Sequence, residues 1–399
     1  MSPHFDALET RSQDARRADQ DRVLQEILAG IHSAPPEWLA LAEQIGGVDD
    51  LTRLPVLRKS DLAEWQQARP PFGGIQAQNV VHYFQSPGPI YEPGGASHDW
   101  WRMGRFLHAA GIGPKDIVQN CFSYHLTPAG HIFENGARAV GAAIIPAGVG
   151  QTELQVRAAA DIGATAYAGT PDYLKIILDA ADEAGVQLGI TKAVVGGGAL
   201  FPSLRQYYSD QGITCLQNYA TADLGNIAYE SPAMEGLILD EHVIVEIVRP
   251  GTGDRVAPGE VGEVIVTALN PDYPLIRFAT GDLSAILPGD SPCGRTNTRI
   301  KGWMGRADQT TKVKGMFVRP EQVAQIMAHH PEIKRARLQV TRENETDVMH
   351  VLVEAEGADQ GAVEASVQAV TKLRAAVSIV APNSLPNDGK VIDDQRSLD

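Results

Sequence analysis

Between residues 99 and 216 one pattern repeats: an amphipathic segment of about 10 to 14 residues, then a short apolar run. The periodicity predicts helices over 99–110, 130–140, 153–162 and 171–184. Apolar runs follow at 116–122, 142–146, 164–168 and 191–195, with another at 213–216. Short buried strands alternating with helices mean βαβ units and a parallel sheet. After Tyr219 the pattern changes. Runs at 242–248 and 262–267 flank the turn Pro250-Gly251-Thr252-Gly253-Asp254, which predicts an antiparallel, hairpin-like pair in a β subdomain at about 226–290. Beyond residue 308 the order is helix (319–327), strand (335–341), strand (348–354), helix (362–376) and strand (377–380), a small α+β unit. Residues 1 to about 70 read as polar helices and loops, with Ser60 as a helix cap. The expected architecture is α/β, with a large domain over 1–307 and a small C-terminal domain over 308–399.

Composition narrows the function classes. Of 399 residues 43% are apolar and 21% charged, the range of an ordinary globular protein. The net charge of −15 argues against a nucleic-acid surface, which needs clustered Lys and Arg. No run approaches the roughly 20 apolar residues that span a bilayer, and Met1–Arg22 lacks the apolar core of a secretory leader. Cys121, Cys215 and Cys293 are widely spaced and odd in number, which fits a reducing compartment; cytoplasm is the expectation.

Five segments carry candidate chemistry. Gly196-Gly197-Gly198-Ala199 follows an apolar run at the sheet end where open α/β sheets bind ligands, although three glycines alone fit a tight turn equally well. Asn218-Tyr219-Ala220-Thr221-Ala222-Asp223 follows another such run, and Asp223 offers a hard oxygen ligand for Mg²⁺ or a cap for a buried loop. In Leu275-Ile276-Arg277-Phe278-Ala279-Thr280-Gly281-Asp282, Asp282 can accept both hydroxyls of a ribose. Gly305-Arg306-Ala307-Asp308 supplies a cation and a pivot. Lys390, after Gly389, is a late cation on an exposed segment.

In that order these segments resemble the motifs of the adenylate-forming enzymes, and the stretches around 116–124 and 141–148 resemble the phenylacetate–CoA ligase branch. The resemblance covers nearly the whole chain. It implies that Gly196–Ala199, Asn218, Tyr219, Ala220 and Thr221 line the adenine and α-phosphate, and that Asp223 holds Mg²⁺. Asp282 and Arg306 would anchor the ribose, Asp308 would be the hinge, and Lys390 would stabilise the adenylation transition state. Tyr124, His125 and Phe133 would face the acid. ATP (leaving AMP), Mg²⁺ and coenzyme A are implied, with a small carboxylic acid as substrate, an aromatic one by the branch resembled. A carrier-protein thiol is the variant acceptor, and relatives of this architecture are often homodimers. No zinc is expected, since only His242 and Cys293 stand where some relatives carry a cysteine-rich site.

The resemblance breaks at the phosphate loop. The family's Ser-Ser-Gly-Thr-Thr-Gly-Lys-Pro corresponds here to Ser86-Pro87-Gly88-Pro89-Ile90-Tyr91-Glu92-Pro93. Both threonines and the lysine are missing, the prolines remove amide donors, and Glu92 is negative where polyphosphate would lie. The expected function is an acid–thiol ligase working through an acyl-adenylate. The alternative is a divergent homologue that binds AMP, an acyl-adenylate or a thioester without ATP-dependent ligation.

Overall fold

Uninterrupted apolar strands need cover on both faces, and the chain supplies it with helices that cross back after each strand. The computed structural model describes residues 2–32, 36–87, 89–307, 309–314, 316–343 and 346–396. Among them the largest sheet has nine strands. Its parallel part runs Thr214–Thr221, Lys192–Val195, Ala166–Gly169, Ile117–Asn120 and Ala143–Pro146 in spatial order. The sheet continues past Thr214–Thr221 through Gly225–Tyr229, Leu237–Leu239, Arg299–Ile300 and Ile286–Leu287. Every residue of Ala166–Gly169 is buried, as a two-sided strand requires. Helices Ala129–Ala139, Thr152–Ile162 and Pro171–Glu183, close to the expected bounds, and Pro202–Asp210 alternate with these strands. The expected α/β class with βαβ units is what the chain forms.

Three local expectations change. The helix foreseen from residue 99 begins only at Gly104, because Asp99 and Arg102 adopt positive φ and the Asp99 carboxylate accepts the Met103 and Gly104 amides at 2.8 and 2.9 Å. Ser60 lies inside the first turn of the Lys59–Ala68 helix, where Asp61 accepts the Arg58 amide at 3.2 Å instead. The phosphate-loop stretch is a β-hairpin, Val80–Ser86 paired antiparallel with Ile90–Gly95, with Glu92 opposite Phe84. Gly88, at its tip, is outside the described residues.

The contacts divide the chain into two compact units: residues 1–245, 266–278 and 287–302, and residues 246–265, 279–286 and 303–399. In the first, Leu24, Ile27 and Leu28 of the Gln13–Gly30 helix pack with Leu51, Leu54, Ile244 and Ile276. A buried Arg277, at φ 50°, donates to the Leu54 carbonyl at 2.7 Å. In the second, Ile333–Glu343 and Thr346–Ala355 pair antiparallel. Ala376–Val380 and Ile392–Asp394 add in parallel at the two edges. Val323, Ile326, Val363 and Val367 of its two helices cover Leu338, Val340, Val351 and Val353. No helix among the described residues is long and apolar enough to cross a membrane.

Candidate nucleotide and acid site

Sequence neighbours of Asp282 place it beside Arg306. Gly281 takes φ 73°, a conformation that favours glycine, and it lies close against the Arg306 guanidinium. Main-chain bonds from Leu283 to the Gly305 carbonyl (2.9 Å) and from Ala307 to the Gly281 carbonyl (2.8 Å) lock the two segments side by side. Arg306 and Trp303 Nε1 both donate to Asp282 Oδ1, at 2.8 and 3.1 Å. The Asp282 carboxylate is nearly enclosed, whereas the Arg306 side chain is 57% exposed. A buried acceptor held by one mobile cation and one indole N–H can exchange those donors for ribose hydroxyls. Trp303 was not singled out from sequence; an exposed tryptophan between two glycines is its only signal there.

Arg306 and Lys390 line one cavity of about 250 Å³ in the second unit. Gln309, which replaces the second aspartate of the hinge motif, accepts the Val391 and Ile392 amides at 2.6 and 2.8 Å and donates to the Gly389 carbonyl at 3.0 Å. It thereby fixes the segment that carries Lys390. Gly389 packs so closely on Val261 and Leu283 that a Cβ would lie 2.7 Å from Val261. Lys390 Nζ itself is half-exposed and pairs with Asp393 at 3.2 Å. Asp308, the expected hinge, lies outside the described residues.

In the first unit the glycine segment and Asn218 come together. Gly196 lies against the Asn218 amide so tightly that a Cβ would collide with Oδ1, and Phe133 is 3.8 Å from the same point. Asn218 Nδ2 donates to Asn226 at 3.0 Å, while Asn218 Oδ1 is buried without a donor. An enclosed acceptor beside a backbone stripped of side chains fits the amino edge of a flat base. Tyr219, buried, belongs to the Thr214–Thr221 strand and not to a loop; its register partner is Ala228. Ala220 is partly buried on the same strand. Thr221 Oγ1 accepts the Leu224 amide at 3.1 Å, so here its hydroxyl closes the turn. Gly197, at φ 69°, faces Phe122; Gly198 faces Pro171. Ala199 is exposed.

Of the expected acid-facing residues, Phe133 is buried and stacks on Phe122 with ring centroids 4.3 Å apart. Tyr124 accepts from Asn120 at 2.8 Å and meets His131 edge-on at 5.2 Å. His131 also contacts His82 at 4.9 Å and Phe84 at 5.2 Å. Burial, with His82 beside it, holds the His131 imidazole below its ordinary range. His125 is exposed, and its amide donates to Ser123 at 3.2 Å. His82, Phe84 and His131 were not foreseen, because they meet only through the hairpin.

Asp223 is enclosed, and its Oδ2 lies 2.9 Å from Lys59 Nζ. Glu92, 1% exposed, is close by. Burial pushes its carboxyl up to about 7, the charge of Asp223 adds to this, and Ser86 pulls the other way. The hairpin that carries Glu92 is clamped by Gln66, which donates to the Tyr91 carbonyl at 2.8 Å and accepts the Tyr91 amide at 2.7 Å. Among the described residues no three His, Cys, Asp or Glu side chains come together as a metal-binding group.

No protein-family model matches the chain. It is 29% identical over 378 residues to a phenylacetate–coenzyme A ligase of Escherichia coli, covering 88% of this chain and 85% of that one. It is 27% identical over 373 residues to the Thermus thermophilus enzyme of the same name, covering 87% and 83%. A crystal structure of 2-hydroxyisobutyryl-CoA ligase, in an open conformation with 2-HIB-AMP and CoA, superposes with a TM-score of 0.71 at 23% identity over 95% of this chain and 91% of that one. The same ligase in its thioesterification state gives 0.69 at 24% identity over 98% and 92%. The resemblance to phenylacetate–CoA ligases therefore extends along most of the chain, and the fold is that of an adenylate-forming CoA ligase.

Proposed function

We propose that this chain, a relative of the phenylacetate–CoA ligases, activates a carboxylic acid as an acyl-adenylate and transfers the acyl group to the thiol of coenzyme A. In the first step a carboxylate oxygen attacks the α-phosphorus of ATP and pyrophosphate leaves. In the second, a thiolate attacks the acyl carbon and AMP leaves. The observation that carries the reading is the nearly enclosed Asp282 carboxylate, held by Arg306 and Trp303 beside a glycine at positive φ. In this reading Asp282 takes the ribose hydroxyls. Within the first unit, Asn218, Tyr219 and the backbone of Gly196–Ala199 are proposed to take a flat base.

Lys390 is proposed to meet the charge that develops on the carboxylate and α-phosphate. Its present partner, Asp393, is a surface ion pair that is readily given up. Asp308 is proposed as the hinge between the half-reactions. The acid is proposed to be aromatic; the contacting rings of Tyr124, His131 and Phe84, and Phe133 stacked on Phe122, support that choice. A carrier-protein thiol is the variant acceptor.

One observation favours a second reading. Where polyphosphate would be wrapped, the chain has a β-hairpin with prolines at its tip and an enclosed carboxyl, Glu92. The prolines lack amide protons, and an ionised carboxyl repels polyphosphate. In that reading the chain accepts AMP, an acyl-adenylate or a thioester and does not start from ATP. Calorimetric titration with AMP and with Mg–ATP, followed by acid-dependent pyrophosphate release over aromatic and aliphatic acids, separates the two. AMP binding without ATP-driven release over the whole panel would overturn the ligase reading.

A further inference from the structure

We infer that Lys59 takes the place of a divalent cation on Asp223, so that an ammonium group, and no metal ion at that position, meets the phosphate of the bound nucleotide. This rests on the proposed nucleotide site and holds whether or not ATP is the starting substrate.

Magnesium bound with a phosphate substrate needs one or two free carboxylate oxygens in near-octahedral geometry at about 2.1 Å and keeps several of its waters. The donors around Asp223 do not meet that demand. Asp223 Oδ2 is engaged by Lys59 at 2.9 Å. Its Oδ1 is enclosed and unpartnered, with the side chain only 1% exposed, so no shell of waters surrounds it. Glu92, the other carboxyl nearby, is as deeply enclosed, and no third carboxylate, histidine or cysteine joins them among the described residues. A dication on the enclosed Asp223 would face the Lys59 ammonium at ion-pair range, a repulsive arrangement.

The placement of Lys59 is built into the fold. It is the first residue of the Lys59–Ala68 helix. Two turns on, Gln66 fastens the same helix to Tyr91, the neighbour of Glu92. One short rigid element thus sets both the ammonium and the hairpin. The Lys59 side chain is 41% exposed although its partner is enclosed. Its ammonium has three protons and gives one to Asp223, which leaves donors for a solvent-borne anion. The ligand chemistry that fits is a single phosphate, as in a nucleoside monophosphate or an acyl-adenylate.

The test uses Mn²⁺ as a paramagnetic stand-in for Mg²⁺, with bound metal read by electron paramagnetic resonance in the full chain, without acid or ATP. In the wild type no bound Mn²⁺ should depend on Asp223: the wild type and Asp223→Asn should bind equally. Lys59→Met should gain no Mn²⁺ either, because the oxygens around Asp223 are too enclosed for a hydrated ion. AMP affinity of the wild type should be the same in EDTA and in Mg²⁺, and should fall about tenfold in Lys59→Met without metal. Lys59→Gln serves in the same role if the methionine variant does not fold. Wild-type Mn²⁺ binding that disappears in Asp223→Asn would overturn the inference, and so would unchanged AMP affinity in a folded Lys59 variant. Failure of the ligase reading would show elsewhere, as absent pyrophosphate release with these spectra unchanged.

Discussion

Replacing Glu92 with Gln should raise stability above neutral pH and leave it unchanged in mild acid. Glu92 is enclosed, and burial lifts its carboxyl from the ordinary 4.5 to about 7. The folded chain therefore holds this proton more tightly than the unfolded chain. The stability contributed by the group is full below about 4.5 and is lost as pH rises to about 7. At roughly 1.4 kcal/mol per pH unit the loss is about 3 kcal/mol for an isolated group. Gln has the shape of the protonated acid and cannot ionise, so the variant escapes that loss. Asp99, also pushed up to about 7 by burial, remains in both proteins and cancels in the comparison. Thermal unfolding at pH 4 and pH 8 reads the difference. Midpoints should match at pH 4, with the variant higher by roughly 5 °C at pH 8. Parallel curves for the two proteins across this range would refute the argument and mean that Glu92 is solvated or already paired.

Asp282→Asn keeps an acceptor of the same shape but gives up the charge; AMP affinity should fall about tenfold, while a purely structural role for Asp282 predicts unchanged binding by calorimetry. Lys390→Ala should slow acyl-adenylate formation by about 10² or more, yet move the melting temperature little, because its Asp393 pair is half-exposed. Rapid-quench adenylation together with a melting curve checks both halves. Gln66→Leu removes both bonds to the Tyr91 main chain and should destabilise the first unit by about 2 kcal/mol or more, seen as faster amide exchange along the hairpin.

The sequence by itself determined the alternation of elements, because burial on both faces writes continuous apolar runs such as Ala166–Gly169 and amphipathic helices between them. It also carried the family resemblance, since Asp282 and Arg306 sit in glycine-rich segments whose backbone geometry restricts the residues allowed. Helix bounds slipped where local hydrogen bonding outweighed periodicity, as at Asp99 and Ser60. What only the tertiary structure decided is which distant groups share a charge or a ring face. Lys59 and Asp223 are separated by 164 positions and joined at 2.9 Å. His82, Phe84 and His131 meet through a hairpin that the sequence presents as a loop. Trp303 reaches Asp282 across paired strand segments. Propensity and periodicity act within a few residues of chain, whereas electrostatic pairing and ring contact act through space, so the identity of a partner follows from the packing of the sheet and not from the order of residues.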